Sequence, residues 1–177
     1  MAALADGVSV PADADPTAVL ADLFRDHPAW RDAAKHVDGG ASSAVWFTHR
    51  PGEPWRLVRR DGTTFLEPGV ADDPDFVFRF TPAAIERLAA VRGGVGDFAV
   101  ALFRLVVEPT GEARVDFRIR AGFARLVRRG YLRLLLAAGP AVLAFGLAHG
   151  VTTVGALRRL VASLRTRPPA PWERGEA

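Results

Sequence analysis

The chain has 177 residues, 49% of them hydrophobic and 24% charged, which excludes disorder of the whole chain and suits one globular domain with an appendage. It contains no cysteine, which excludes disulfides, thiolate metal sites and cysteine nucleophiles. The formal net charge of +3 is uneven, at −4 over residues 1–40, −1 over 41–100 and +8 over 101–177, so the positive part sits beside the most apolar segment and points to a membrane surface rather than to nucleic acid.

Residues 1–16 are small, acidic and proline-containing and read as a mobile leader. They lack the basic n-region of a secretory signal, and the expected compartment is the cytoplasm. Thr17 is the expected cap of a first helix through Val19, Leu20, Leu23 and Phe24, broken at Pro28. Gly39-Gly40 ends that region. A β meander follows, with strands over 44–50, 55–60 and 63–66. Pro51-Gly52 and Asp61-Gly62 mark its turns, and Pro68-Gly69 stops it. Residues 75–80 alternate so that Phe76, Phe78 and Phe80 share one face. That face must be covered by something large and apolar.

Thr81-Pro82 reads as N-cap and first residue of a helix whose Ile85, Leu88 and Ala89 turn inward. Gly93-Gly94 ends it. Asp97 then caps a helix carrying Phe98, Ala101, Leu102 and Leu105, and 105–108 is a candidate fifth strand. Two readings of 113–119 stand. Val115, Phe117 and Ile119 alternate as in a strand, while Val115, Ile119, Phe123 and Leu126 recur as in a helix. A helix is expected from about Arg120.

In the helical reading Arg114, Arg118, Arg125 and Arg129 form a separate face. Such a face is solvated, or touches an anionic membrane when an apolar segment lies beside it. Residues 134–157 carry no formal charge with His149 neutral. Leu134 to Ala148 is long enough to resemble a membrane span, but Pro140 and glycines 139, 146, 150 and 155 interrupt the pattern. Packing as core or lid, insertion at an interface and a full span all stand for it. An amphipathic helix over Val154–Leu164 and a proline-rich tail over 166–177 complete the chain.

Chemistry-bearing patterns are few. Ser42-Ser43 lies near His49 in sequence, but no Gly-x-Ser-x-Gly elbow is present. His27, His36 and His149 have no metal-ligand spacing, and Asp72-Asp73-Pro74-Asp75 lacks the spacing of a calcium loop. That segment reads as a turn that solubilises the start of an aromatic strand. Gly93-Gly94-Val95-Gly96-Asp97 lacks the lysine of a phosphate loop, and Asp97 repels an anion. No metal, cofactor or catalytic residue is expected, and an unrecognised hydrolase ranks lowest among the functions considered.

The run Asp-Phe-Val-Phe-Arg-Phe-Thr-Pro-Ala-Ala-Ile-Glu-Arg-Leu from Asp75, and Val-Gly-Asp-Phe-Ala-Val-Ala-Leu-Phe-Arg-Leu-Val-Val-Glu from Val95, resemble the sterol carrier protein 2 (SCP2) domain family. The resemblance covers about residues 17–133. It implies an α+β fold, a five-stranded sheet covered on one face by helices, with an apolar tunnel between them. The apolar, basic helical extension 134–165 lies beyond the ordinary domain. Two local departures are Leu102-Phe103-Arg104, with arginine in a glycine place, and Glu108-Pro109-Thr110-Gly111-Glu112 where the family has Gly-Asp. The implied activity is non-catalytic binding and transfer of a sterol-like, isoprenoid or fatty-acyl lipid. The expected ligand contacts are Phe76, Phe78, Phe80, Ile85, Leu88, Phe98, Leu102, Phe103 and Phe123. Docking on a membrane through the Arg-rich C-terminal part goes with this reading. The alternative is an accessory subunit of a lipid- or quinone-modifying assembly, with an enzyme as its protein partner.

Overall fold

Strand-forming residues separated by tight turns build the sheet first. In the computed structural model, which describes residues 14–174, β1 (Ser42–Phe47) pairs antiparallel with β2 (Arg50–Arg60), and β2 with β3 (Thr63–Pro68). The chain then crosses back to lay β4 (Phe76–Phe80) parallel to β1, and β5 (Val115–Ile119) runs antiparallel to β4. The strand order is β3-β2-β1-β4-β5. Most of the leader, residues 1–13, and the last three residues of the tail lie outside the described residues.

Strand alternation fixes what each face carries. Phe76, Phe78 and Phe80 lie opposite Ser43, Val45 and Phe47 on β1, and opposite Ile119, Phe117 and Val115 on β5. All nine therefore point to one face. Four helices cover its Phe80 end: α1 (Pro16–Asp26), α2 (Pro28–Ala34), α3 (Pro82–Ala89) and α4 (Val95–Val107). Leu20, Val45, Phe47, Phe80, Ile85 and Leu88 form the centre of that core. Each such side chain contributes about 1.5–3 kcal/mol by leaving water. The Ile119 end is covered by α5 (Phe123–Arg128) and α8 (Val154–Arg165), where Ile119, Leu126 and Val161 form a second cluster. Between them, α6 (Tyr131–Ala137) and α7 (Pro140–Ala148) make an outer layer, with α7 resting on α4. The five-stranded sheet with helices on one face is the one the resemblance implied.

Several local expectations shift. Asp15, not Thr17, caps α1 by accepting from Thr17 N at 3.1 Å, and the buried Thr17 hydroxyl instead meets His49 Nε2 at 3.0 Å. The first turn of the meander is at Thr48-His49, so Pro51 and Gly52 lie inside β2, where Gly52 takes a left-handed φ of +80°. Thr81 caps α3 as expected, accepting from Ala84 N at 3.3 Å. Asp97 acts from inside the first turn of α4, its carboxylate accepting from Gly94 N at 3.1 Å. Residues 105–107 are the last turn of α4 rather than a fifth strand. Phe98 and Leu105, two helical turns apart, are both buried, so the helical period prevails over the β-branched pair Val106-Val107. The true fifth strand is 115–119, which resolves the ambiguous segment. Leu102, Phe103 and Arg104, including the arginine in the glycine place, are interior residues of α4.

One buried carboxylate joins the sheet to the C-terminal helices. Asp75 is 0% exposed. Its side chain accepts from Tyr131 Oη at 3.1 Å and pairs with Arg129 Nη1 and with Arg125 Nε, the latter at 2.8 Å. Its amide donates to Ser42 O at 2.9 Å, and its carbonyl accepts from Arg120 N at 2.8 Å and Ala121 N at 3.1 Å. Burial first, and then the Asp75 carboxylate, hold the Tyr131 hydroxyl far above the ordinary tyrosine range.

Two outcomes follow from this junction. Asp75→Ala strands the Arg129 guanidinium in a partly closed site, leaves Arg125 on Asp73 alone, and lowers unfolding stability by about 3–5 kcal/mol, read from urea denaturation; a change below about 1 kcal/mol would show that the junction is dispensable. Tyr131 is the single tyrosine of the chain, so absorbance at alkaline pH reports it alone. Its folded pKa lies above its unfolded value. Its stabilising share is therefore complete below the unfolded pKa of about 10 and is lost as pH rises beyond that. Folded protein should show no tyrosinate step near pH 10, and Tyr131→Phe should flatten the alkaline fall in stability.

Candidate functional site

The helix layer does not close evenly over the aromatic face of the sheet. Phe80 is fully buried, but Phe76, Phe78 and Phe117 remain half-buried. Their rings touch in series: Phe78 to Phe80 at 5.7 Å, Phe78 to Phe117 at 5.1 Å, Phe76 to Phe117 at 5.5 Å, and Phe76 to Tyr131 at 4.7 Å. Phe78 packs on the first core cluster, while Phe76 and Phe117 pack on the second. A seam of partly uncovered rings thus separates two packed regions on the same face of the sheet. At its Phe76 end the Tyr131 hydroxyl is already donated to Asp75. The seam offers apolar, polarisable surface and suits an alkyl chain or a flat apolar ring.

The nine expected ligand contacts do not line one cavity. Ile85, Leu88 and Phe98 are closed into the first cluster with Phe80. Leu102 packs partly buried against it. Phe103 turns outward to stack on Phe145, with ring centroids 6.1 Å apart. Phe123 belongs to the second cluster. Phe76 and Phe78 alone of the nine reach the seam. Phe117, its third ring, became visible only with the strand reading of 113–119, which sets it opposite Phe78.

The four arginines read as one face are distributed differently, because β5 is a strand. Arg114 pairs with Asp116 at 3.1 Å. Arg118 points to the opposite side of the sheet and pairs with Glu173 at 2.8 Å, the two side chains only 11% and 8% exposed. Arg125 is held by Asp73 and Asp75, and Arg129 by Asp75. Three of the four are thus committed to internal carboxylates. Asp73 and Asp75, read as a solubilising turn, split between an exposed residue and the most buried acid.

The tail also has a place. A 3-10 turn, Pro171–Arg174, lies against the outer face of the sheet. Trp172 sits 6.4 Å from Trp46, and the Arg79 guanidinium lies 5.5 Å from its ring centre. Val77, on that same outer face, is buried.

The hydroxyl that the fold brings to His49 is that of Thr17, not of Ser42 or Ser43. His49 Nε2 meets both Thr17 Oγ1 at 3.0 Å and Asp15 Oδ1 at 3.9 Å. A hydroxyl–imidazole–carboxylate relay needs its acid on the other ring nitrogen, and here Nδ1 has no partner. Burial, opposed by Asp15, pushes the His49 pKa down, and the Thr17 hydroxyl is closed off from substrate. Among the described residues no group of three His, Asp or Glu side chains could hold a metal ion. The amide of Gly94 is already taken by Asp97, which closes the phosphate-loop reading. A depression of about 360 Å³ between Thr48, Thr81, Gly111 and Arg114 is open and polar-rimmed, and holds none of the seam rings.

No family model matches the chain, and no curated protein matches it. Among solved structures, the chain is similar to a protein titled "UbiJ-SCP2 Ubiquinone synthesis protein", at 19% identity and a TM-score of 0.37, over 70% of this chain and 95% of that one.

Proposed function

We propose that the protein binds a hydrophobic lipid along the Phe76–Phe78–Phe117 seam and carries or presents it without covalent chemistry. The observation that carries this reading is the seam itself. Three contiguous rings on the helix-covered face remain only partly buried while the clusters on either side are packed. Water against such a strip is costly, and an apolar ligand removes that cost. The two clusters share the continuous sheet as a floor, and the seam lies between them.

The magnitudes are adequate. Burying a twelve-carbon chain gains about 10 kcal/mol gross at about 0.8 kcal/mol per methylene. Ordering and association costs reduce this to about micromolar affinity. The aromatic strip has no built polar anchor, so it selects for apolar length and flatness more than for a headgroup. Fatty acids, sterols and isoprenoid quinones are the ligand classes to offer.

The test is gentle native mass spectrometry of protein purified from its own host, followed by identification of any released lipid. A discrete bound lipid, with Phe78→Ala or Phe117→Ala each weakening uptake about tenfold, is the expected result. Protein that carries no lipid and takes up none of the three classes would sink the carrier reading and leave the accessory-subunit role.

A further inference from the structure

We propose that α6 and α7 form an apolar wedge that seats the protein on an anionic phospholipid surface, a role independent of whether the seam holds a lipid. The solvent-facing side of α7 consists of Pro140, Ala141, Leu143, Ala144, Leu147 and Ala148, which fall on one broad helical face. No polar side chain interrupts it over the whole helix. Leu143 is 51% exposed and Leu147 56%, and Leu136 at the end of α6 is 61% exposed. A soluble helix normally turns its apolar side inward. Here the inward side is apolar as well: Val142 is buried, and Phe145 stacks on Phe103 of α4.

The wedge is carried rigidly. A Cβ on Gly96 of α4 would come within 2.3 Å of the Ala138 carbonyl, so the corner between α6 and α7 rests directly on the α4 backbone. The two helices meet at 104°. With 7 and 9 residues, each reaches about 10–14 Å at 1.5 Å per residue. A hydrocarbon core of about 30 Å is beyond either one. The geometry therefore fits shallow insertion at the interface and not a crossing.

Charge selects the occupant. Between Asp116 and Glu173 the sequence has ten arginines and no acidic residue. Arg118, Arg125 and Arg129 are consumed by internal carboxylates. Arg128, Arg133, Arg158, Arg159 and Arg167 are exposed and have no carboxylate partner among the described residues. Arg133, exposed three residues from Leu136 on α6, lies on the wedge's own outward side, so a second copy seated there would bring like charges together in low dielectric. An anionic bilayer accepts the leucines below the headgroups and the guanidiniums among the phosphates. The docking element is thus α6–α8, and not the Arg114–Arg129 set.

Co-sedimentation of the full chain with vesicles tests this, using equal parts phosphatidylglycerol and phosphatidylcholine against phosphatidylcholine alone. Wild-type protein should bind the anionic vesicles and be released by salt. Leu143→Glu/Leu147→Glu should reduce binding about 100-fold or more. Arg158→Glu/Arg159→Glu should reduce it at least about tenfold and weaken its salt dependence. These residues are exposed, so the melting temperature and any lipid seen by native mass spectrometry should not change. Vesicle binding by wild-type protein that carries no lipid and takes up none would support the wedge while the carrier reading failed. Equal binding to neutral and anionic vesicles, absence of binding to both, or full binding by Leu143→Glu/Leu147→Glu would overturn the proposal. So would a wild-type dimer that the leucine pair of substitutions dissolves without any vesicle binding, which would mark the face as a protein contact.

Discussion

A carboxylate with no access to water must be matched where it stands, and much of this molecule is arranged around that demand. Asp75 enters the sheet at the start of β4, where its backbone is already bound to β1 and to the segment after β5. Its side chain then requires cations and a hydroxyl, which come from α5 and α6. The ion pair need not add net stability over an apolar substitute. What it specifies is position. Arg129 also accepts, through its carbonyl, the amide of Asp38 at 2.9 Å, so the link between α2 and β1 is tied into the same junction. Gly130, next in the chain, takes φ +86° and passes so close to His36 O that a Cβ would clash at 2.0 Å.

This junction decides where the aromatic seam can exist. By fixing α5 and α6 over the Phe76 end of β4, it sets the second cluster apart from the first, with Phe78 and Phe117 between them. The seam and the buried acid are two results of the same placement of the 120–131 segment.

The sequence shows the sheet more readily than the site. Alternation at 75–80 and the cap at Thr81-Pro82 have local causes, and both appear in the fold. The β-branched end of α4 imitates a strand because Val106 and Val107 satisfy either period; only the burial of Phe98 and Leu105 distinguishes them. Asp75 was legible as an acid in a turn but not as a buried one, since its partners lie more than 50 residues away. The same distance hides the commitment of Arg125 and Arg129. For the apolar run, Gly139-Pro140 did carry its signal: no single helix among the described residues is long and apolar enough to cross a membrane, and the run bends sharply there.

The turn at Trp172 has a consequence for the order in which the protein is made. Trp46 and Val77 occupy the outer face of the sheet, and the sheet can pair once β5 has been translated. Their cover arrives only with Trp172 and with Glu173, which meets Arg118. At about 5–20 residues per second, that leaves the face bare for several seconds after β5 leaves the ribosome. During that interval Trp46 and Val77 stand open among Arg79, Asp116 and Arg118 on that face, and the seal forms only when the 171–174 turn arrives.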